Sequence, residues 1–131
     1  MRHTRILALI LTLSGFGFSS ASHAVANFIG NYSAALWNTP AQFFTDEDWN
    51  IFNSTLVDVL DHSKDQEPKA WSNPKTKASG EFTVLKTVMK GDKICRQVKA
   101  VSSAGTARRV WGVAFCKTDG STEEWLAVSG R

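Results

Sequence analysis

The feature that most constrains the fold is a set of three turn signals in the second half of the chain. Gly91-Asp92 and Asp119-Gly120 are typical of two-residue hairpin turns, and residues 102–107 predict a looser turn between them. From Glu81 onward the turns separate four predicted strands, at roughly 81–90, 93–101, 108–117 and 123–129. We therefore expect a four-stranded antiparallel β-meander.

Strand register fixes which side chains share a face of this sheet. The first turn places Leu85 opposite Val98, and the last turn places Val113 opposite Leu126. The register predicts an apolar core face made of Leu85, Met89, Ile94, Val98, Trp111, Val113, Phe115, Leu126 and Val128. The opposite face is predicted to carry Val84, Lys86, Val88, Cys95, Gln97, Lys99, Cys116 and Trp125.

The same register places Cys95 opposite Cys116, and the chain has 2 cysteines. Because Cys95 would bond with Val88 on the neighbouring strand, its pair with Cys116 is predicted to be a non-hydrogen-bonded one, where side chains approach most closely. An oxidising compartment would join the two thiols. We predict a disulfide that stabilises the fold by about 3 kcal/mol; two free buried thiols are the alternative.

Residues 45–63 predict an amphipathic helix. Thr45 is a candidate N-cap with Asp48 three positions later, and acidic residues favour the positive end of the helix dipole. The stripe expected to cover the sheet consists of Trp49, Phe52, Leu56, Val59 and Leu60. Residues 64–80 are predicted to be a polar connector, in which Trp71 either covers the open end of the core or is exposed for recognition.

Residues 25–44 form an uncharged arm that contains five aromatic residues. Such a segment is either part of the core or part of an interface. Phe28, Tyr32 and Trp37 are therefore candidate binding residues for a partner.

Residues 1–24 are interpreted as a secretory signal peptide. Arg2 and Arg5 form its positive end, an apolar stretch follows, and Ser22-His23-Ala24 is a small-x-small cleavage site. An uncleaved N-terminal anchor is the alternative. No later segment is apolar for long enough to cross a bilayer, so we expect no transmembrane segment in the mature chain. The predicted location is the periplasm, the outer membrane or the cell surface.

Charge is distributed unevenly. Without the leader, 13 basic residues face 12 acidic ones, which argues against nucleic-acid binding driven by net charge. Residues 46–67 contain seven acidic residues and one basic residue, whereas residues 69–117 contain eleven basic residues and two acidic ones. The helix and the sheet are therefore predicted to carry opposite charges, which would orient a partner.

Catalytic patterns are missing from the sequence: we find no nucleophile motif, no phosphate-binding loop and no carboxylate pair on one strand face. His62 lies at the end of the predicted helix near Asp58, Asp61 and Asp65, which indicates a pH-sensitive C-cap, a weak metal site or, more plainly, a solvated helix end. We predict a protein that is not an enzyme and that has neither a cofactor nor a metal site.

A candidate binding surface lies on the predicted outward face, where Lys86, Gln97 and Lys99 flank Trp125. Small residues beside them leave room above the sheet. The pattern predicts a platform for an anionic glycan or a protein segment, with Trp125 as its aromatic anchor. The alternative is that Trp125 folds over the disulfide and the lysines are only solvated.

Several segments resemble the C-terminal domain of the rickettsial seventeen-kilodalton surface antigen family of proteobacterial envelopes. They are Trp71–Gly80 (WSNPKTKASG), Cys95-Arg96, Ala114–Cys116 and Asp119–Ser121. The resemblance spans about 85 residues from Thr45 to the end. Lys77 stands where the family usually has glycine, the aromatic residue at 125 comes later than usual, and the family's lipid-attachment cysteine and glycine zipper are missing. The resemblance implies an envelope location and no known reaction.

Together these observations predict an α+β domain at 45–131, with one amphipathic helix packed on the four-stranded sheet and one disulfide. The predicted function is that of a non-catalytic exported envelope protein, a structural or assembly component that binds a protein partner. The alternative is a ligand-binding or inhibitor module that recognises an anionic envelope glycan or a periplasmic enzyme around Trp125. The sequence leaves the oligomeric state open.

Overall fold

The structure, a computed structural model, describes residues 39–128. The predicted signal peptide and the arm residues Phe28, Tyr32 and Trp37 lie outside this range. The described elements are a 3₁₀ turn Pro40–Phe43, helix α1 Asp46–His62, and strands β1 Pro68–Ser72, β2 Ser79–Lys90, β3 Lys93–Ala104, β4 Ala107–Thr118 and β5 Leu126–Val128. The strands form one antiparallel sheet in chain order. The α+β class is confirmed, but the sheet has five strands rather than four.

Helix α1 begins where its capping residues predict. The Thr45 hydroxyl accepts a hydrogen bond from the Asp48 main-chain N–H, and the Asp48 carboxylate accepts one from the Thr45 N–H at 2.9 Å. This reciprocal capping box satisfies two amide groups that the first helical turn would leave unpaired. The predicted stripe packs on the sheet: Phe52, Leu56, Val59 and Leu60 are buried, and Trp49 is partly buried.

The end of the predicted arm packs against this domain. Ala41 is buried in the 3₁₀ turn, and the Phe44 ring lies 5.3 Å from that of Trp71, centroid to centroid. Residues 39–44 therefore contribute to the same core as α1.

Strand β1 corrects the prediction of a polar connector over 64–80. It pairs with the start of β2, where Trp71 lies opposite Gly80 and is 5% exposed. The five residues of β1 show no clear alternation of buried and exposed side chains, so the sequence pattern does not mark this strand. Pro68 is tolerated because β1 is an edge strand. Trp71 thus covers the core.

The hairpin between β2 and β3 follows the predicted Gly91-Asp92 turn, with Met89 opposite Ile94. A bulge between Val84 and Lys86 then shifts the register by one residue. Val84, rather than Leu85, lies opposite Val98 and is fully buried, while Leu85 is exposed. The predicted placement of these two side chains was therefore reversed.

Strands β3 and β4 are joined by a tight turn at Gly105-Thr106 instead of the looser turn predicted there. Cys95 lies opposite Cys116, and the two form a disulfide with their Cα atoms 4.1 Å apart. That separation is typical of a non-hydrogen-bonded pair, where the register placed the two residues.

Strand β5 has a different register from the predicted one. The chain turns at Asp119-Gly120 but continues as a loop through Trp125, so Leu126 lies opposite Cys116 rather than Val113. The shift of three residues is an odd number and exchanges the two faces. Leu126 and Val128, predicted to be in the core, are exposed, and Trp125 is buried.

Candidate functional site

Three of the predicted sheet-face residues share a surface, the sheet face opposite α1, which we call the outward face. Lys86 lies directly opposite Gln97 across the β2–β3 pair, and Lys99 follows two positions along β3. The side chains of all three are exposed. On β4, Ala114 lies opposite Gln97 and Gly112 opposite Lys99, so small residues border the three.

Trp125, the predicted anchor of this surface, does not belong to it. It is 5% exposed, and its indole N–H donates to Asp61 Oδ1 on α1 at 2.8 Å. The Lys117 ammonium lies 4.9 Å from the centre of the indole ring and 3.5 Å from the same Asp61 oxygen. Trp125 therefore attaches the loop before β5 to the helix, on the core side of the sheet.

The outward face carries both exposed apolar side chains and basic ones. Leu126 and Val110 are 62% and 52% exposed, and Leu85 and Val128 also reach the surface. The strand register places five basic residues on this face, which are Lys86, Lys90, Lys93, Lys99 and Arg108. Among the described strand residues of the face, Glu81 is the only acid. The surface thus offers apolar contact and attracts negative charge.

On the opposite side of the molecule, α1 carries Asp46 and Glu47 in its first turn and Asp58 and Asp61 near its end. His62, at the last turn, is within 3.0 Å of Asp58 Oδ1, and its side chain is 75% exposed. Lys69 pairs with the other Asp58 oxygen. Between residues 39 and 128 no group of acids, histidines and cysteines is arranged to hold a metal ion.

Arg96 is a buried charged residue that sequence reasoning did not single out for a role. It lies at an inward position of β3 between Ile94 and Val98 and is 7% exposed. Its guanidinium donates to the carbonyl of Leu60 at 2.8 Å, to that of Val59 at 3.1 Å and to that of Ser63. The Leu60 carbonyl is one that the end of a helix leaves unpaired, whereas that of Val59 also accepts from the Ser63 N–H. Arg96 therefore holds the carboxyl end of α1 on the sheet.

The carboxylate of Asp65 forms a cluster with Thr87 and Arg96, which it contacts from the solvent side. Asp65 accepts hydrogen bonds from the hydroxyl of Thr87 at 2.6 Å and from its main-chain N–H at 3.0 Å. The Thr87 hydroxyl lowers the pKa of Asp65, against the opposing effect of burial, and the Arg96 guanidinium adds to the lowering. The ionised form is thus the one that this cluster stabilises.

At the other end of α1, the fully buried Asp48 connects the helix start to the loop after β1. Besides its capping bond to Thr45, it accepts a hydrogen bond from the Thr76 hydroxyl at 2.6 Å and one from the Asn73 amide at 2.7 Å. Burial by itself raises the pKa of Asp48, but the hydrogen bonds from Thr76, Thr45 and Asn73 together lower it. The Ser-Asn-Pro-Lys-Thr segment at residues 72–76 therefore has a structural role, which is to hold the start of α1 through Asp48.

Comparison of the chain with known protein families, with curated proteins and with solved structures gives no match. Within residues 39–128, no helix has the length and apolar character needed to cross a membrane.

Proposed function

We propose that this protein is a non-catalytic component of the bacterial cell envelope that binds a protein partner through the outward face of its sheet. The observation that carries the proposal is that exposed apolar side chains, those of Leu85, Val110, Leu126 and Val128, share this face with five basic residues. Exposed apolar side chains next to charged ones are compatible with a protein-binding surface.

The charge of this face indicates what kind of partner fits. Five basic residues against one acid would attract a partner with an acidic patch and would speed its association. The Cys95–Cys116 disulfide lies toward one end of the same face, where it keeps β3 and β4 in fixed register. A rigid surface loses little conformational freedom when a partner binds.

Export is supported by two findings. The disulfide is compatible with an oxidising compartment, and the described residues contain no membrane-spanning helix. The predicted signal peptide and the resemblance to the surface-antigen family add the bacterial envelope, either periplasm or outer surface, to this proposal. Phe28, Tyr32 and Trp37, outside the described range, stay predicted contributors to partner binding.

A second candidate function is the recognition of an anionic envelope glycan. It is favoured by the exposed Lys86, Gln97 and Lys99 on adjacent strands, beside the small residues Gly112 and Ala114. Without Trp125 the surface lacks an aromatic platform for a sugar ring, and the apolar residues would have no role. The protein partner is therefore the better account.

Two double variants separate these possibilities in crosslinked affinity capture from cell envelopes. Leu126→Ser with Val128→Ser removes apolar contact, and Lys86→Ala with Lys99→Ala removes charge. Lys64→Ala with Lys75→Ala is the matched control, since both lysines lie outside the outward face. All three variants alter exposed positions, so each is expected to keep the wild-type melting temperature within a few degrees.

Binding of an acidic protein predicts that both outward-face variants reduce capture of one protein at least fivefold, while the control retains it. Retention by the serine variant with loss only in the alanine variant, together with recovered glycan, would favour the second candidate. Equal capture by all forms would contradict both functions.

A further inference from the structure

The first half of strand β4 has an edge that no other described strand covers. Strand β4 pairs with β3 along its whole length, Ala107–Thr118, but β5 pairs only with its residues 114–116. Within residues 39–128, no main-chain group bonds to the stretch 107–113 from the side opposite β3. We call this side of residues 107–113 the open edge.

The register of β3 and β4 determines which main-chain groups point out of the open edge. Along an antiparallel ladder, hydrogen-bonded pairs alternate with non-hydrogen-bonded ones. Cys95 and Cys116 form a pair of the second kind, and the pair that closes the two-residue turn at the other end of the ladder is of the first kind. Both ends therefore agree that Arg108, Val110 and Gly112 direct their N–H and C=O groups away from β3.

The open edge is accessible to another strand. Val110 is 52% exposed, and Arg108 and Gly112 are exposed as well. Unpaired N–H and C=O groups along a strand are a template for strand addition. Each of the three residues offers one donor and one acceptor, so an added strand would form about six hydrogen bonds with this edge.

We propose that the open edge pairs with the same edge of a second copy of this chain, so that the two five-stranded sheets become one. The midpoint of residues 107–113 is Val110, and a two-fold axis there places the two Val110 residues opposite each other. Arg108 of each copy then lies opposite Gly112 of the other. Every outward-pointing main-chain group of one edge meets its counterpart, and each strand ends where β5 begins.

The charges of the open edge select this register. Charged residues on an edge usually oppose pairing, and a register centred on Arg108 or Arg109 would place two arginines directly opposite each other. In the register centred on Val110, each Arg108 lies across from a glycine, which leaves space for the guanidinium. A register centred on Trp111 would bring the second copy onto residues that β5 already pairs with. The edge therefore fits itself in one complete register.

This arrangement has a consequence for the outward face. A two-fold axis perpendicular to the sheet leaves the outward faces of both copies on the same side, where they form one larger surface. The inference concerns the edge of the sheet and does not rest on the function proposed for that face. Because small interfaces are typical of weak association, we expect monomer and dimer to exchange between about 10 µM and 1 mM.

Sedimentation velocity over this range of concentration, on the oxidised chain from residue 25 onward, measures the association. Val110→Lys places two ammonium groups opposite each other at the axis and should weaken dimerisation at least fivefold. Leu85→Lys is the matched control, since it makes the same change at an exposed apolar residue of β2, two strands from the edge. Both variants are expected to keep the wild-type melting temperature within a few degrees.

Gly112→Glu tests the register with an effect of the opposite sign. It places a carboxylate across from Arg108 of the other copy, once on each side of the axis, and should tighten dimerisation at least threefold. The substitution fits, because a Cβ atom at position 112 would meet only the Val98 carbonyl oxygen, at 3.7 Å. A variant that unfolds would not produce this gain.

Amide hydrogen exchange followed by NMR locates the contact on the molecule. Exchange at Arg108, Val110 and Gly112 should slow as the concentration rises, because their N–H groups gain partners only in the dimer. The N–H groups of Arg109 and Trp111 point toward β3, so their exchange should be slow at every concentration. This alternation is the signature of strand addition at the open edge.

Several results would overturn the proposal. They are a chain that stays monomeric throughout the range, dimerisation that Val110→Lys leaves unchanged, weaker dimerisation of Gly112→Glu, and slow exchange of the three amides at every concentration. A dimer that Leu126→Ser with Val128→Ser dissolves, without slower exchange at the three amides, would also overturn it, because the outward face would then join the copies.

The peptide acetyl-Val-Glu-Val-Glu-Val-amide distinguishes a second copy from a foreign acidic strand. The proposal predicts that exchange of the three amides slows with protein concentration in the absence of the peptide. Slower exchange that appears only when the peptide is added, in a chain that stays monomeric, would contradict it, since the edge would then take a strand from another protein.

Discussion

The Arg96 guanidinium lies beneath the last turn of α1 and donates to the main-chain carbonyl of Leu60 at 2.8 Å. A charged side chain is thus buried between helix and sheet as the partner of a carbonyl group that the helix cannot satisfy itself. The planar fork of five N–H donors suits this role, because several carbonyls are served at once. The contact fixes which face of the sheet α1 covers and therefore which face stays outward.

Replacing Arg96 should show how strongly the fold depends on this contact. Arg96→Met keeps the volume but removes the hydrogen bonds to three carbonyl groups and leaves that of Leu60 unpaired, so we expect the free energy of unfolding to fall by about 3 kcal/mol. Arg96→Lys should recover only part of this loss, since an ammonium lacks the fork. Urea denaturation measures both, with the exposed Arg108→Met as control. Equal stability of Arg96→Met and Arg108→Met would contradict the role.

Asp48 predicts a dependence of stability on pH. Its pKa in the folded protein is lowered from the ordinary value of 3.8, so its ionised form stabilises the fold above that value. This stabilisation is lost as the pH falls through the lowered pKa. Asp48→Asn should reduce the free energy of unfolding by about 2 kcal/mol at pH 7. The difference from wild type should shrink in thermal unfolding as the pH falls below the ordinary pKa of 3.8. A difference that stays constant over this range would show that ionisation of Asp48 is not involved.

Any side chain at position 80 is predicted to destabilise the fold, because Gly80 lies directly opposite Trp71. A Cβ atom there would lie 2.3 Å from the Val101 carbonyl oxygen and 2.6 Å from Trp71 Nε1. Gly80→Ala should therefore lower the free energy of unfolding by about 3 kcal/mol. Gly112→Ala is the matched control, since its Cβ would meet only the Val98 oxygen at 3.7 Å. A melting temperature of Gly80→Ala that equals that of Gly112→Ala would exclude the crowding described here.

The disulfide predicts a redox-dependent stability. Cys95 and Cys116 are separated by 21 positions, and loss of their bond through Cys95→Ala with Cys116→Ala should destabilise the domain by about 3 kcal/mol. Reduced wild type should unfold at nearly the same urea concentration as this double variant. Oxidised wild type and the variant should differ, and coincident unfolding curves would contradict the prediction.

The parts of the fold that the sequence predicts depend on local signals. The Gly91-Asp92 turn fixes its own register, and two cysteines in one meander agree with that register. A bulge such as that between Val84 and Lys86 inserts one residue with no comparable local signal. The loop before β5 begins with a typical hairpin turn and does not return at once, because Trp125 reaches Asp61, 64 positions away in the chain. Contacts between residues so far apart in the chain cannot be predicted from the periodicity of the sequence.

In the candidate site, too, the residues marked by local signals were predicted and those placed by long-range contacts were not. Lys86, Gln97 and Lys99 were grouped correctly on one face because they depend on the well-signalled part of the meander. Trp125 was assigned to that face through the wrong register of β5. The one sequence signal for Arg96 was its place in the inward series with Ile94 and Val98, where a charged residue is unusual.

The central claim is that the outward face contacts a protein partner, and site-specific photo-crosslinking in cell envelopes tests it most directly. A benzoylphenylalanine at Gln97, between Lys86 and Ala114, reports on that face, and one at Lys64, just after α1, reports on another surface. The account predicts one discrete protein adduct from Gln97 that disappears with Leu126→Ser and Val128→Ser, and none from Lys64. An adduct of the same protein from Lys64 alone, or no protein adduct from Gln97, would contradict it.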